Sequence, residues 1–270
     1  MRATQKHVTQ IIRLAESVHH TQPRGVLADF AEIWASAFLS TVQLDKRDEL
    51  LARFHALQEK YEQHHRGIFK SMLDELEQAL TIDPGDIMGQ VFMQIGSPNQ
   101  ARGQVFTPDC LCETMAMLQV GDGIALQKLI DEKGFITVQE PACGSGATVI
   151  AFAKQMMVKG LNYQQHMHAT AIDVDIRAVH LAYLQLTLLH IPAKVIHGNT
   201  LTLDCWSQWH TPAHAMGLFG PKLRRGYALD SAMGRREMGE ATEIAHAAPV
   251  IAPAALLAPA QSGSQLGLAF

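Results

Sequence analysis

The chain has 270 residues, 47% of them apolar, and a formal net charge of −4 with histidine neutral. That length can bury a large core in one domain, or in one domain with a helical extension, and the charge leaves no global basic field to pull the chain onto nucleic acid. No apolar run is long enough to span a bilayer and Met1-Arg2-Ala3-Thr4-Gln5-Lys6 does not read as a signal peptide, so a cytoplasmic protein without a membrane partner is expected.

The four cysteines (Cys110, Cys112, Cys143, Cys205) lack paired metal-site spacing and read as free thiols; no metal site is expected. Residues 4–80 have helical period. Val8, Ile11, Ile12, Ala15 and Val18 form one apolar face, and after Pro23-Arg24-Gly25 a second runs through Leu27, Phe30, Ala31, Trp34 and Phe38. A longer pattern starts near Asp45 with Leu50, Phe54, Leu57 and Tyr61. It continues through Phe69, Met72, Leu73, Leu76 and Leu80, with a bend expected near Gly67. Residues 1–82 thus read as a helical N-terminal domain whose faces need a partner, and its histidines (His19, His20, His64, His65) read as solvated. Asp83-Pro84-Gly85-Asp86 is a turn suited to cap a helix Ile87–Ile95. A loop follows, then Arg102-Gly103-Gln104-Val105-Phe106-Thr107-Pro108, whose end starts a helix from Asp109.

Ile136 to Gly146, I-T-V-Q-E-P-A-C-G-S-G, is a strand delivering a tight turn onto the helical run Ala147–Val158. Gly144 and Gly146 lack a Cβ where backbone approaches a ligand, and the helix N-terminus behind them offers N–H groups. Taken alone, the same residues suit an ordinary strand-turn-helix junction. Ala169–Asp173 is a second strand, ending in Asp173-Val174-Asp175 before a helical run to His190. Asp173 lies 27 residues beyond Gly146, comparable to the roughly 20-residue interval to the ribose-binding acid of dinucleotide folds; a helix N-cap is the other common use of such a pair. Lys194–His197 is a third strand running into Gly198-Asn199, where Asn199 can meet an adenine edge. Three such units describe one half of a doubly wound parallel sheet, an α/β fold with its ligand site along the carboxyl edge.

Asp86 to Thr202 resembles the S-adenosylmethionine-binding half of the N6-adenine DNA methyltransferases, above all the modification subunits of type I restriction systems and their plasmid-borne relatives. Gly103-Gln104-Val105-Phe106-Thr107-Pro108 is similar to the family's G-Q-[FY]-F-T-P element, and Glu140-Pro141-Ala142-Cys143-Gly144-Ser145-Gly146 to its [DE]-P-A-C-G-S-G loop. The resemblance implies a partial Rossmann-like S-adenosylmethionine-dependent methyltransferase sheet over residues 83–225. It further implies cofactor contacts from Phe106, Thr107, Pro108, Glu140, Pro141, Ala142, Gly144, Gly146, Asp173 and Asn199, and DNA as a partner, directly or through another subunit.

The family's [DN]-P-P-[YFW] tetrapeptide is missing, since the sequence has no Pro-Pro pair. Its acceptors take hydrogen bonds from the exocyclic amine while its aromatic ring stacks on the flipped base. The nearest stand-in is Trp209-His210-Thr211-Pro212-Ala213-His214, with His210, Thr211 and Pro212 as catalytic candidates. No convincing fourth strand precedes it, and a surface cap after the third strand is the simpler account. Zinc at Cys205, His210 and His214 has workable spacing but no second ligand pair. Residues 226–264 read as a disordered Ala/Pro-rich linker. Residues 265–270 resemble the Q-x-x-L-x-F peptide that docks on bacterial sliding clamps, through Gln265, Leu268 and Phe270, unless they are simply an apolar tail. Two functions follow: a DNA adenine-N6 methyltransferase, or an inactive cofactor-binding accessory or regulatory protein tethered to the clamp.

Overall fold

The computed structural model describes residues 3–95 and 107–239. Phe106, residues 240–264 of the linker and the terminal Gln265, Leu268 and Phe270 lie outside the described residues.

Among the described residues five α-helices come first: α1 (Gln5–Glu16), α2 (Pro23–Leu39), α3 (Arg47–Glu59), α4 (Gln63–Ile82) and α5 (Ile87–Gln94). The bend expected near Gly67 falls instead between α3 and α4, with Gly67 inside α4. An aromatic anchor sets that break rather than the glycine. Tyr61 is buried edge-on to Phe69 at 4.8 Å, and its hydroxyl donates to Asp29 at 2.8 Å. Trp34 in α2 donates its indole N–H to the Phe69 carbonyl at 3.1 Å, which ties α2 to α4.

Next come α6 (Asp109–Val120), α7 (Ile124–Lys133), β1 (Ile136–Glu140), α8 (Ala147–Val158), α9 (Tyr163–His166), β2 (Met167–Asp173), α10 (Ile176–Leu188), β3 (Ala193–Asn199) and β4 (Asp204–His210). Three short helices follow: α11 (Pro212–Met216), α12 (Phe219–Arg225) and α13 (Ala232–Glu237). Pro108 is the cap of α6.

The fold is α/β, with one sheet in the order β1-β2-β3-β4 among the described residues. β1, β2 and β3 run parallel, as the three repeating units predict, and β4 returns antiparallel beside β3. This fourth strand is a correction to the sequence reading. Cys205, Trp206 and Gln208 are exposed on it, so an edge strand of this kind carries no apolar run to mark it. β1 has β2 as its one neighbour among the described residues, and its other edge borders a cavity.

One buried apolar cluster extends from Val8 in α1 to Val195 in β3. α10 is buried along most of its length, between β2 and β3 on one side and α2 and α5 on the other. A smaller cluster joins Phe135, Phe219 and Ala228.

The linker expected from Gly226 is also corrected over residues 226–239. Ser231 caps α13, its hydroxyl accepting from the Gly234 N–H at 3.2 Å, and Arg236 makes a two-pronged pair with Glu132 of α7 at 2.9 and 3.1 Å. Ala228 sits against Gly134, where a Cβ on the glycine would clash. The small residues that suggest low complexity there are small because they pack closely.

Candidate cofactor site at the strand tips

The parallel register brings the carboxyl ends of β1, β2 and β3 together in a stagger. Glu140 pairs with Ala171, two residues short of Asp173, and Asp173 pairs with His197, two short of Asn199. The turn after β1 is pinned to β2 by main chain and side chain. The Cys143 N–H donates to the Ile172 carbonyl at 2.8 Å, and the Gly144 N–H donates to Asp173 Oδ2, also at 2.8 Å. Gly144 (φ 54°) and Gly146 (φ 98°) both hold left-handed conformations that a side chain strains. The turn then closes through the Gly146 N–H to the Cys143 carbonyl at 2.8 Å and enters α8 without a side-chain cap.

Each tip acid is partly engaged. Glu140 accepts from the Ala142 N–H at 3.1 Å and from the Thr148 hydroxyl at 2.7 Å. Asp173 uses Oδ2 on Gly144 and Oδ1 on the Asp175 N–H at 2.9 Å. A carboxylate oxygen accepts about two hydrogen bonds, so each acid keeps capacity for a ligand's donors. The third tip is tied in by Thr200, whose hydroxyl donates to the Pro141 carbonyl at 2.6 Å, while Asn199 Oδ1 accepts from the Leu201 N–H at 3.0 Å. Glu140, Pro141, Ala142, Gly144, Gly146, Asp173 and Asn199 therefore share one edge. Thr107 and Pro108 lie at the start of α6, exposed. Asp175, the second acid of the pair, caps α10 and holds Arg177 at 2.7 Å.

Beside this edge, a cavity of about 580 Å³ runs along the open side of β1, lined by Cys112, Phe135, Val138, Glu140, Phe152 and Leu223 among others. Glu140 is the tip acid that reaches it. Burial pushes the Cys112 thiol up to about 11 and the Cys143 thiol well above its usual value, with neighbouring carboxylates adding to both. Neither cysteine is a ready nucleophile at neutral pH.

His210, Thr211 and Pro212 are not at this edge, which corrects their reading as a catalytic stand-in. β4 runs back along β3, so Asp204 faces Asn199 near the tips while His210 faces Lys194 near the opposite end. At about 3.3 Å per residue, the length of β3 separates them from the glycine turn. Thr211 is fully buried, accepting from the Ala193 N–H at 2.9 Å and donating to the Ile191 carbonyl at 2.8 Å. His214 stacks on His210 with ring centres 4.2 Å apart and shares a 2.9 Å hydrogen bond with buried His168. Cys205, near the other end of β4, is remote from both rings in register.

A buried group next to the turn escapes the sequence reading of the site. Asp86 caps α5 through the Gly89 N–H at 2.8 Å, as its turn predicts, but its carboxylate also accepts from the Ser145 hydroxyl at 2.5 Å and from Gln185 Nε2 at 2.8 Å. The available signal was Gln185, one polar residue inside the apolar run Leu184-Gln185-Leu186, where burial demands partners.

Parallel strands that gather a glycine turn and acids at their carboxyl tips are the arrangement of doubly wound α/β folds, which as a class take ligands along that edge. Residues 84–216, just under half of the chain, match the family model described as N-6 DNA Methylase, so that segment is similar to this family. No curated protein matches the chain. Among solved structures it is similar to one described as a class I S-adenosylmethionine-dependent methyltransferase from Listeria monocytogenes, at 20% identity and a TM-score of 0.41. The likeness covers 74% of this chain and 54% of that one, so the chain spans about half the length of the structure it matches.

Proposed function

We propose that the chain binds S-adenosylmethionine across the tips of β1, β2 and β3 and serves adenine-N6 methylation of DNA, with the groups that receive the adenine amine supplied by a partner chain. The observation carrying this reading is the pairing of Gly144 with Asp173, which presents a Cβ-free turn beside a carboxylate with unused acceptor capacity. The donor set fits the cofactor: Asp173 suits a ribose diol, Glu140 an ammonium group, and Asn199 an adenine edge. When bound, S-adenosylmethionine supplies an electrophilic methyl group on sulfur. The chain's own residues then orient the donor and leave the exocyclic amine without an acceptor, because the sequence lacks a Pro-Pro tetrapeptide and Thr211 points into the core. For direct DNA contact, Lys222, Arg224 and Arg225 in the last turn of α12 form a local basic group beside the cavity.

A second reading, a cofactor-binding accessory protein without transfer, is favoured by the same placement of Thr211. Calorimetry with S-adenosylhomocysteine tests the shared part. Binding is expected, weakened roughly 10- to 100-fold in Asp173→Ala because a charge-assisted hydrogen bond contributes about 1.5–3 kcal/mol. Tritiated methyl transfer to adenine-containing DNA tests the rest: the isolated chain is expected to give none, and turnover by the chain alone would refute the need for a partner.

A further inference from the structure

Asp86 stands outside the tip residues, yet it touches the glycine turn through Ser145. It is 6% exposed and Ser145 is fully buried. The carboxylate collects three donors from three elements: the Gly89 N–H of α5, the Ser145 hydroxyl of the turn and the Gln185 amide of α10. Gln185 completes the circuit, since its Nε2 also donates to the Ser145 carbonyl at 2.8 Å and its Oε1 accepts from the Met88 N–H at 3.0 Å. The hydroxyl and the carbonyl of Ser145 are therefore both held from outside the turn. Gly89 is glycine for the same reason: a Cβ there would overlap the Asp86 carboxylate and come within 2.7 Å of the Ser145 hydroxyl. Burial raises the Asp86 carboxyl above its usual value, against the opposing pull of its three donors.

We propose that Asp86 is a positioning residue for the cofactor turn: through Ser145 it fixes the Cys143–Gly146 backbone and so makes the shape of the ligand edge depend on the docking of α5. α5 in turn packs against α1, α4 and α10, so the N-terminal helices set the turn through one carboxylate. In its effect on affinity the inference rests on the cofactor reading above; in its effect on the turn it does not.

The test is amide hydrogen exchange on the full chain without ligand, followed by S-adenosylhomocysteine calorimetry. Asp86→Ala and Ser145→Ala are each expected to speed exchange at Gly144 and Gly146 by about tenfold or more while Val195 in β3 keeps its wild-type rate. Asp86→Asn, which keeps an oxygen for Gly89 and Gln185, is expected to show a smaller effect. Turn rates within twofold of wild type, or equal acceleration in the turn and in β3, would overturn the proposal; if Asp86→Ala does not fold, Ser145→Ala decides. In calorimetry both single variants are expected to weaken S-adenosylhomocysteine about tenfold, and the double variant no further than Asp86→Ala alone. A wild-type chain that does not bind S-adenosylhomocysteine removes the cofactor reading, and the exchange rates still decide the role of Asp86.

Discussion

Replacing Thr211 by valine separates a structural threonine from a catalytic one. The substitution keeps the volume and branching and removes one hydroxyl, leaving the Ala193 N–H without its 2.9 Å acceptor and the Ile191 carbonyl without its 2.8 Å donor. Ala193 opens β3 and Ile191 lies just before it, both fully buried, so water cannot replace the lost partner. A stranded buried donor costs about 1–3 kcal/mol. Thr211 is also the cap of α11, accepting from the His214 N–H, and losing a cap costs about 1 kcal/mol more. The sum is about 2–4 kcal/mol, or roughly 5–15 °C in melting temperature for a chain of this size. Urea unfolding is the assay: the midpoint should fall at constant slope, Thr211→Ser should recover most of the loss, and S-adenosylhomocysteine affinity should not move. A Thr211→Val protein that unfolds like wild type but loses cofactor binding or methyl transfer would refute this placement of the residue.

Stability should fall as pH drops from 7 to 5. Burial lowers His168 to about 3 and His180 and His214 to about 4, with the neighbouring His210 and Lys194 adding to the effect at His168 and His214. An unfolded imidazole titrates near about 6.5, so below that pH the unfolded chain binds more protons, and the loss continues toward about 3. Urea midpoints at the two pH values check this, and His168→Gln should flatten the slope. Gly146→Ala should cost about 1–2 kcal/mol, the penalty for a side chain in the left-handed region; an unchanged unfolding midpoint would contradict the φ of 98°. A disulfide reagent on the native chain should modify exposed Cys110 and Cys205 quickly and buried Cys112 and Cys143 only on unfolding, so four fast thiols would show the turn to be open.

The sequence was most legible where local chemistry and burial agree. The helix Ala147–Val158 is readable to the residue, and the strand from Ile136 by where it starts, because the Pro-Ala-Cys-Gly-Ser-Gly string after it marks a turn. Asp173 was placed by its interval from the turn, and Asp86 as a cap by the turn before it. β4 was not legible, because its outer face is wet and its alternation is broken by Trp206 and Trp209 on opposite phases. α7 has no legible face for a related reason, since Ile130 is its one buried residue and Ile124 and Leu129 are exposed. The second and third partners of Asp86 were beyond any local pattern, since Ser145 and Gln185 lie 59 and 99 residues away. Small residues misled in the opposite direction at Ala228 and Gly234, where close packing imitates low complexity.

The burial of α10 on both sides bears on how this protein can be handled. A fragment beginning at residue 83 would keep every tip acid and the glycine turn, yet it would strip α2 from α10 and wet a stripe that the intact chain keeps dry. Such a fragment is a poor reagent for measuring the methyl-donor half, because aggregation or partial melting would then be mistaken for weak affinity.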